Sequence, residues 1–323
     1  MPHAAVTALP AHHSTEEILA HPRFAIARNA LLEAMLDLYD HKPFLNRLLL
    51  EVGRNVLFVV IACLHARHNP AERATWPTMR LVKDAMGMHR LASPRRVDDL
   101  VARLIKTGYL QQRLSRSDGR VRILVPTPKM LAQDRDWLVS HYAPLQMLFP
   151  RPGYAPIMKR DPAFQLRQRL VAASFFPLGA SILERNPLIT KFLRREAGTM
   201  ILIKIMHLAA QAGDITRAIV FSEIGTRFGV SRTQVRLLLE EAARDGLVHL
   251  VRREGKFVQL TPKLVQAFDH FLADGMAGHD LIYNLASQAD VPALMKNVPL
   301  LGAVATGKEG AGSSTALRTS PGG

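Results

Sequence analysis

The sequence predicts a mainly α-helical protein with small β-hairpin wings, laid out as two similar units in tandem. Three observations carry this. A stretch of about 45 residues recurs far downstream with the same order of residue types. Each copy holds an apolar stripe at helical spacing, followed by two β-prone runs around a glycine-bearing turn. The positive charge of the chain, 42 Lys+Arg against 27 Asp+Glu for a net +15, is concentrated in these two stretches.

A chain of 323 residues has room for two ordinary domains. With 48% hydrophobic and 21% charged residues it is of globular composition, which excludes a largely disordered or fibrous chain. The net charge points to a polyanionic partner, nucleic acid or an anionic membrane surface. A single cysteine, Cys63, excludes an internal disulfide and a cysteine-based zinc cluster, and fits a reducing cytoplasm. No apolar run approaches the roughly 20 residues of a membrane span. Val56–Leu64 is bounded by Arg54 and His65, and Met200–Ala210 carries Lys204, so both read as buried helices. Met1–Ala20 lacks the basic start and apolar run of a secretory signal and reads as a mobile leader.

The repeat is clearest from Val97 to Leu110, followed by a basic stretch and Thr127-Pro128-Lys129; it returns as Val235 to Val248, a basic stretch and Thr261-Pro262-Lys263. Ser93 and Ser231 fall in register, and upstream Pro43, Glu51 and Gly53 answer Pro187, Glu196 and Gly198. The units are residues 22–150 and 160–288, after a leader (1–21) and joined by a linker (151–159) that follows Pro150 and carries Pro152, Gly153 and Pro156. Residues 289–323 form a tail, Gly/Ser/Thr-rich and disordered from Gly302.

In the second unit, Phe221 to Phe228 reads as a short helix stopped by Gly229. Ser231 then sits at an N-cap position, where its hydroxyl accepts an orphan N–H of the first turn. The helix it opens buries Val235, Leu238, Leu239 and Ala242. Arg232, Thr233, Gln234 and Arg236 are left at its exposed start, all of them side chains that hydrogen-bond base edges or phosphates. Gly246 closes the helix. Two β-prone runs around Glu254-Gly255 read as a hairpin carrying Arg252, Arg253 and Lys256.

The first unit repeats the plan with more charge. Ser93 caps and Pro94 takes the first helical position, where its missing N–H costs nothing. Val97, Leu100, Val101 and Leu104 form the buried stripe, with Arg95, Arg96, Asp99 and Arg103 outward. Its hairpin runs from Tyr109 to Val125 about the turn Asp118-Gly119, ringed by Arg113, Arg116, Arg120 and Arg122. From Met88 to Met130 there are ten Lys/Arg and three Asp/Glu; from Phe221 to Val265, eight and five. Together these windows hold +10 of the +15.

Helix, turn, helix and hairpin is the order of a winged helix-turn-helix, whose second helix enters the major groove while the hairpin tip meets an adjacent groove or phosphate. The stretch from Leu104 through the wing to Lys129 resembles the MarR family of bacterial transcriptional regulators. Gly229 to Thr233 and Leu260 to Lys263 repeat the resemblance in the second unit. Members of that family usually carry one such domain and dimerise; two in one chain resemble a fused pseudo-dimer.

The expected activity is therefore sequence-specific binding of double-stranded DNA as a cytoplasmic transcriptional regulator. The DNA-contacting set is Ser93, Arg95, Arg96, Arg103, Arg113, Arg116, Arg120, Arg122, Ser231, Arg232, Thr233, Gln234, Arg236, Arg252, Arg253 and Lys256. A plasmid-type replication initiator, and a scaffold whose winged helices dock protein, fit the same residues. No HExxH, GxSxG or paired CxxC occurs, and no catalytic residue, metal or cofactor is expected. Cys63, His65 and His68 read as a core cysteine with two surface histidines, and Gly307 to Ser313 has the wrong Lys–Ser order for a phosphate loop. The two most apolar helices, Phe44 to Leu64 and Ile189 to Leu208, are expected to pack together across a pseudo-twofold. Between such helices a pocket for a small apolar effector is the functional reading, and plain core the bland one.

Overall fold

The computed structural model describes residues 10–40, 52–89, 92–195, 198–212, 219–220, 232–253 and 255–291. Helix α1 (Thr15–Ala20) leads into α2 (Phe24–Asp40) and α3 (Val52–Arg67). After a 3₁₀ turn (Arg73–Thr75) come α4 (Met79–His89), α5 (Pro94–Lys106), strands β1 (Leu110–Leu114) and β2 (Arg122–Pro126), and the long α6 (Pro128–Leu148). The second half runs α7 (Ala155–Met158), α8 (Pro162–Ala172), α9 (Phe176–Arg185), α10 (Pro187–Leu193), α11 (Gly198–Ala212), β3 (Ile219–Val220), α12 (Arg232–Arg244), β4 (Val248–Arg253), β5 (Gly255–Leu260) and α13 (Pro262–Ala286). The chain is mainly helical, with two small antiparallel hairpins, as the sequence predicts. The expected helix 221–228, the cap Ser231, the turn residue Glu254, the start of the helix expected from Phe44 and the tail from residue 292 lie outside the described residues.

Both predicted stripes are buried: Val97, Leu100, Val101 and Leu104 on α5, and Val235, Leu238, Leu239 and Ala242 on α12. Each helix ends in the same way. Gly108 (φ 74°) and Gly246 (φ 70°) take the left-handed conformation that lets the next N–H turn back, Tyr109 onto Leu104 O (3.0 Å) and Leu247 onto Ala242 O (2.9 Å). The recurring Thr-Pro-Lys then has a structural account. Thr127 Oγ1 donates toward Gly108 O (2.8 Å) and Tyr109 O (3.0 Å) and accepts from Met130 N–H. Thr261 Oγ1 does the same with Gly246 O (3.0 Å), Leu247 O (2.9 Å) and Leu264 N–H. The lysine Nζ donates to a carbonyl at the end of the preceding helix, Lys129 to Thr107 O and Lys263 to Asp245 O. Replacing Thr127 or Thr261 by Ala removes the N-cap and the hydroxyl bond that ties it to the end of the preceding helix, so each is expected to cost about 1–2 kcal/mol. A lower urea midpoint at unchanged m-value checks this.

The hairpins are registered as Leu110↔Pro126 and Val248↔Leu260. A third backbone segment joins each of them. Ile219 pairs with Val258 of β5, and Pro77 O accepts from the Leu124 N–H of β2 (2.9 Å). The β1–β2 tip extends through Val121 N–H to Asp118 O, at the Asp-Gly turn the sequence marks.

The buried side chains form one continuous cluster from Ile18 to Val291, not a separate core in each half. Its packing crosses between the halves: α2 lies on α6 and on α11, while α8 lies on α13 and on α3. The expected direct packing of α3 on α11 is corrected by this. A cavity separates them, with Val56 and Val60 on one wall and Leu202 and Ile203 on another. Apolar periodicity identifies a buried face but carries no information about which helix covers it.

The described part of the segment expected to be mobile is docked, and so is the linker. Residues 10–20, placed in the mobile leader, hold α1 with a Ser14/Glu17 capping box. His13 N–H donates to Asp280 (2.7 Å) and Thr15 Oγ1 to Asp274 (2.8 Å), fastening α1 to α13. In the linker, Tyr154 is buried, its N–H on Gln146 Oε1 and its hydroxyl on Asp280 Oδ1, each at 2.7 Å.

Candidate nucleic-acid interface

Ser93 caps α5 by accepting the Arg96 N–H (3.3 Å), and Pro94 occupies the first turn as expected. This sets Ser93, Arg95 and Arg103 in solvent and leaves Arg96 half-buried. Arg95, Asp99 and Arg103 follow one another at four-residue spacing on one side of the helix, so an acidic group stands between the two exposed arginines. Asp98 is taken up by Lys83 of α4 (2.7 Å), a pair that ties the two helices together.

At the hairpin tip, Asp118 is held from outside the motif. Its carboxylate pairs with Arg73 (3.3 Å) and accepts the Arg120 backbone N–H (3.0 Å). Ser117 Oγ donates to Pro70 O, which also accepts from Trp76 Nε1, both at 3.2 Å. The tip is thus docked on residues 70–76. Arg116, Arg120 and Arg122 remain exposed, with no ion-pair partner among the described residues. Arg113 is exposed and donates to Gln111 Oε1. Arg122 lies opposite Leu114, which is 58% exposed, so this outer face of the hairpin is both basic and apolar.

The corresponding helix of the second unit has a different electrostatic character. Thr233, Gln234 and Arg236 are exposed, but Arg236 pairs with Glu240 one turn on (3.6 Å). Glu241 and Asp245 are engaged by Arg195 and Lys191, each at 2.7 Å, anchoring α12 to the α10 end of the core. Ser231 lies outside the described residues; Arg232, Arg252, Arg253 and Lys256 are described in backbone only, on α12, β4 and β5. The sequence reading missed Arg73, Lys83, Lys191 and Arg195, because each finds its acidic partner at least 15 residues away and no local spacing signals that.

Cys63 is fully buried, which pushes its thiol up to about 12, and burial lowers the nearby His65 and His68. No group of three His, Cys, Asp or Glu among the described residues is arranged to hold a metal ion, and no helix among them is long and apolar enough to cross a membrane. Comparison of the chain with family models, with curated proteins and with solved structures returns no match.

Proposed function

We propose that the chain is a tandem winged helix-turn-helix protein that binds duplex DNA as a transcriptional regulator, with α5 and α12 as reading helices and the two hairpins as wings. The observation that carries the reading is the set of exposed arginines, Arg95, Arg103, Arg116, Arg120 and Arg122, on one helix–hairpin unit in which Asp98 and Asp118 are already paired and Asp99 alone stands against the five. Cations left uncompensated in this way are available to phosphates and base edges. The fused pseudo-dimer is supported by the twice-made hydrogen-bond set around Thr127 and Thr261 and by reciprocal packing, α2 on α11 and α8 on α3.

The two units are unequal readers. Arginine suits bidentate contact with guanine and glutamine with adenine, so α5 favours a G-containing half-site and α12 a more A-containing one. Arg236 must give up Glu240 to contact DNA, whereas Arg95 has no ion pair among the described residues to break.

The test is selection of duplexes from a random library with the full chain, followed by fluorescence anisotropy on the selected and a scrambled sequence across salt concentrations. The logarithm of the affinity is expected to fall by about 0.9 per phosphate contact against the logarithm of salt. Arg95→Ala is expected to cost about 1–3 kcal/mol on the selected duplex and less on the scrambled one, whereas Arg120→Ala weakens both alike. Absence of duplex binding at low salt, or a flat salt dependence, would sink the reading in favour of a protein-docking scaffold.

A further inference from the structure

The cavity between α3 and α11 has a volume of about 370 Å³, within the size range of small-molecule sites. The space is partly open to solvent and large enough to admit a small organic molecule. Its walls are mainly aliphatic and aromatic, drawn from both halves of the chain, including Leu32, Val60, Leu202 and Met276.

Three polar side-chain atoms in residues lining this space are buried without a hydrogen-bond partner: Gln168 Oε1, Thr199 Oγ1 and His279 Nδ1. Buried polar groups are almost always paired, and these three exceptions all fall on residues of one cavity, each atom closed off from solvent, so that a ligand pairs with one of them through a small turn of its side chain. The orientation of Gln168 follows from its neighbours. The Tyr142 hydroxyl donates its proton to His279 O (2.7 Å), so toward Gln168 it can only accept, and it receives the amide Nε2 (3.4 Å). That leaves Oε1 as a fixed acceptor on a fully buried side chain.

Charge is already balanced at the cavity. Arg169 lines it, but its guanidinium is bidentate to Asp134, with contacts of 2.6 and 3.0 Å. Burial brings His141 down to about 4 and holds His279 well below the usual imidazole range, so both rings are neutral near pH 7. His141 Nδ1 donates to Trp137 O (2.8 Å), which leaves its other nitrogen unprotonated. The polar groups on offer are therefore mostly acceptors, set in a mainly apolar, charge-balanced and partly open pocket.

We propose that this cavity binds an uncharged, largely apolar small molecule carrying a hydroxyl or N–H donor that is received by Gln168 Oε1. The site is assembled from both halves of the chain and does not depend on the DNA-binding reading.

The test titrates the full-length protein, without DNA, with N-phenyl-1-naphthylamine, a neutral fluorescent probe with one N–H. Saturable fluorescence enhancement at one site per chain is expected. Gly275 of α13 lines the cavity, and a Cβ there would meet nothing within 4 Å, so Gly275→Phe places a ring in the empty space and is expected to weaken the probe at least about tenfold. A thermal melt checks that the variant is folded; if it is not, Gly275→Leu takes its place. Gln168→Met keeps the volume and removes the acceptor. It is expected to lower affinity for the probe about tenfold while leaving 1-benzylnaphthalene, in which CH₂ replaces the N–H, displacing the probe as well as before. Unchanged probe binding in the folded Gly275 variant would overturn the proposal, as would tighter binding of the anionic 8-anilinonaphthalene-1-sulfonate than of the neutral probe.

Discussion

Expressed separately, residues 1–151 and 152–323 are each expected to fail to fold, and on co-expression to reconstitute the intact assembly. Residues 1–151 would lack α8 and α11, the helices that cover α3 and α2. They would uncover Leu32 of α2 and Val60 and Cys63 of α3, which face the second half and are nearly or fully buried in the intact chain. At about 25 cal/mol per Å² of apolar surface, uncovering several such side chains, each worth roughly 1.5–3 kcal/mol, removes a margin comparable to the whole stability of a domain. Circular dichroism and gel filtration of each fragment and of the mixture check this. An isolated fragment with a cooperative melt near that of the full chain would show that the halves are independent after all.

Asp134→Ala is expected to destabilise the chain by about 3–5 kcal/mol, because it leaves the Arg169 guanidinium buried and unpaired. Both side chains are nearly inaccessible, at 1% and 3% exposure, and Gln165 Nε2 donates to the same carboxylate (2.7 Å). The arginine also lies 5.1 Å from the Trp137 ring centroid, so its charge stacks on an aromatic face. The pair joins α6 of one half to α8 of the other. Replacing both partners by apolar residues, Asp134→Leu with Arg169→Met, is expected to be far milder than the single change, since no charge is then left in the interior. Urea unfolding of the single and double variants measures the coupling; additive losses would mean that Asp134 does not hold Arg169 in place.

Most of the local design is legible in the residues. The stripes of α5 and α12 lie where three- and four-residue spacing puts them, and Ser93, Gly108 and Gly246 cap where their chemistry requires. Asp118-Gly119 lies at the tip of the hairpin, where the sequence places the turn. The exposed arginines of the candidate interface are readable for the same reason, since a polar residue beside a buried stripe has to face out.

Asp134 is a counterexample. It stands in Gln133-Asp134-Arg135-Asp136, a run that reads as a solvated helix face, yet it is fully buried because Arg169, 35 residues later, meets it there. The acidic residue of the hairpin tip, Asp118, is likewise withdrawn by Arg73, and the start of the expected leader is fixed by Asp274 and Asp280 from near the far end of the chain.

By itself, then, the sequence determined the two striped helices, their caps, the hairpins and which side of those helices is apolar, because those depend on interactions spanning only a few residues. Only the tertiary structure decided that α2 covers α11 and α8 covers α3, that Asp134 pairs with Arg169, and that a space ringed by Gln168, Thr199 and His279 lies between the two most apolar helices. Those outcomes rest on which surfaces fit one another across tens to more than a hundred residues of chain, and hydrophobic burial, being non-directional, leaves the choice of partner to shape and volume.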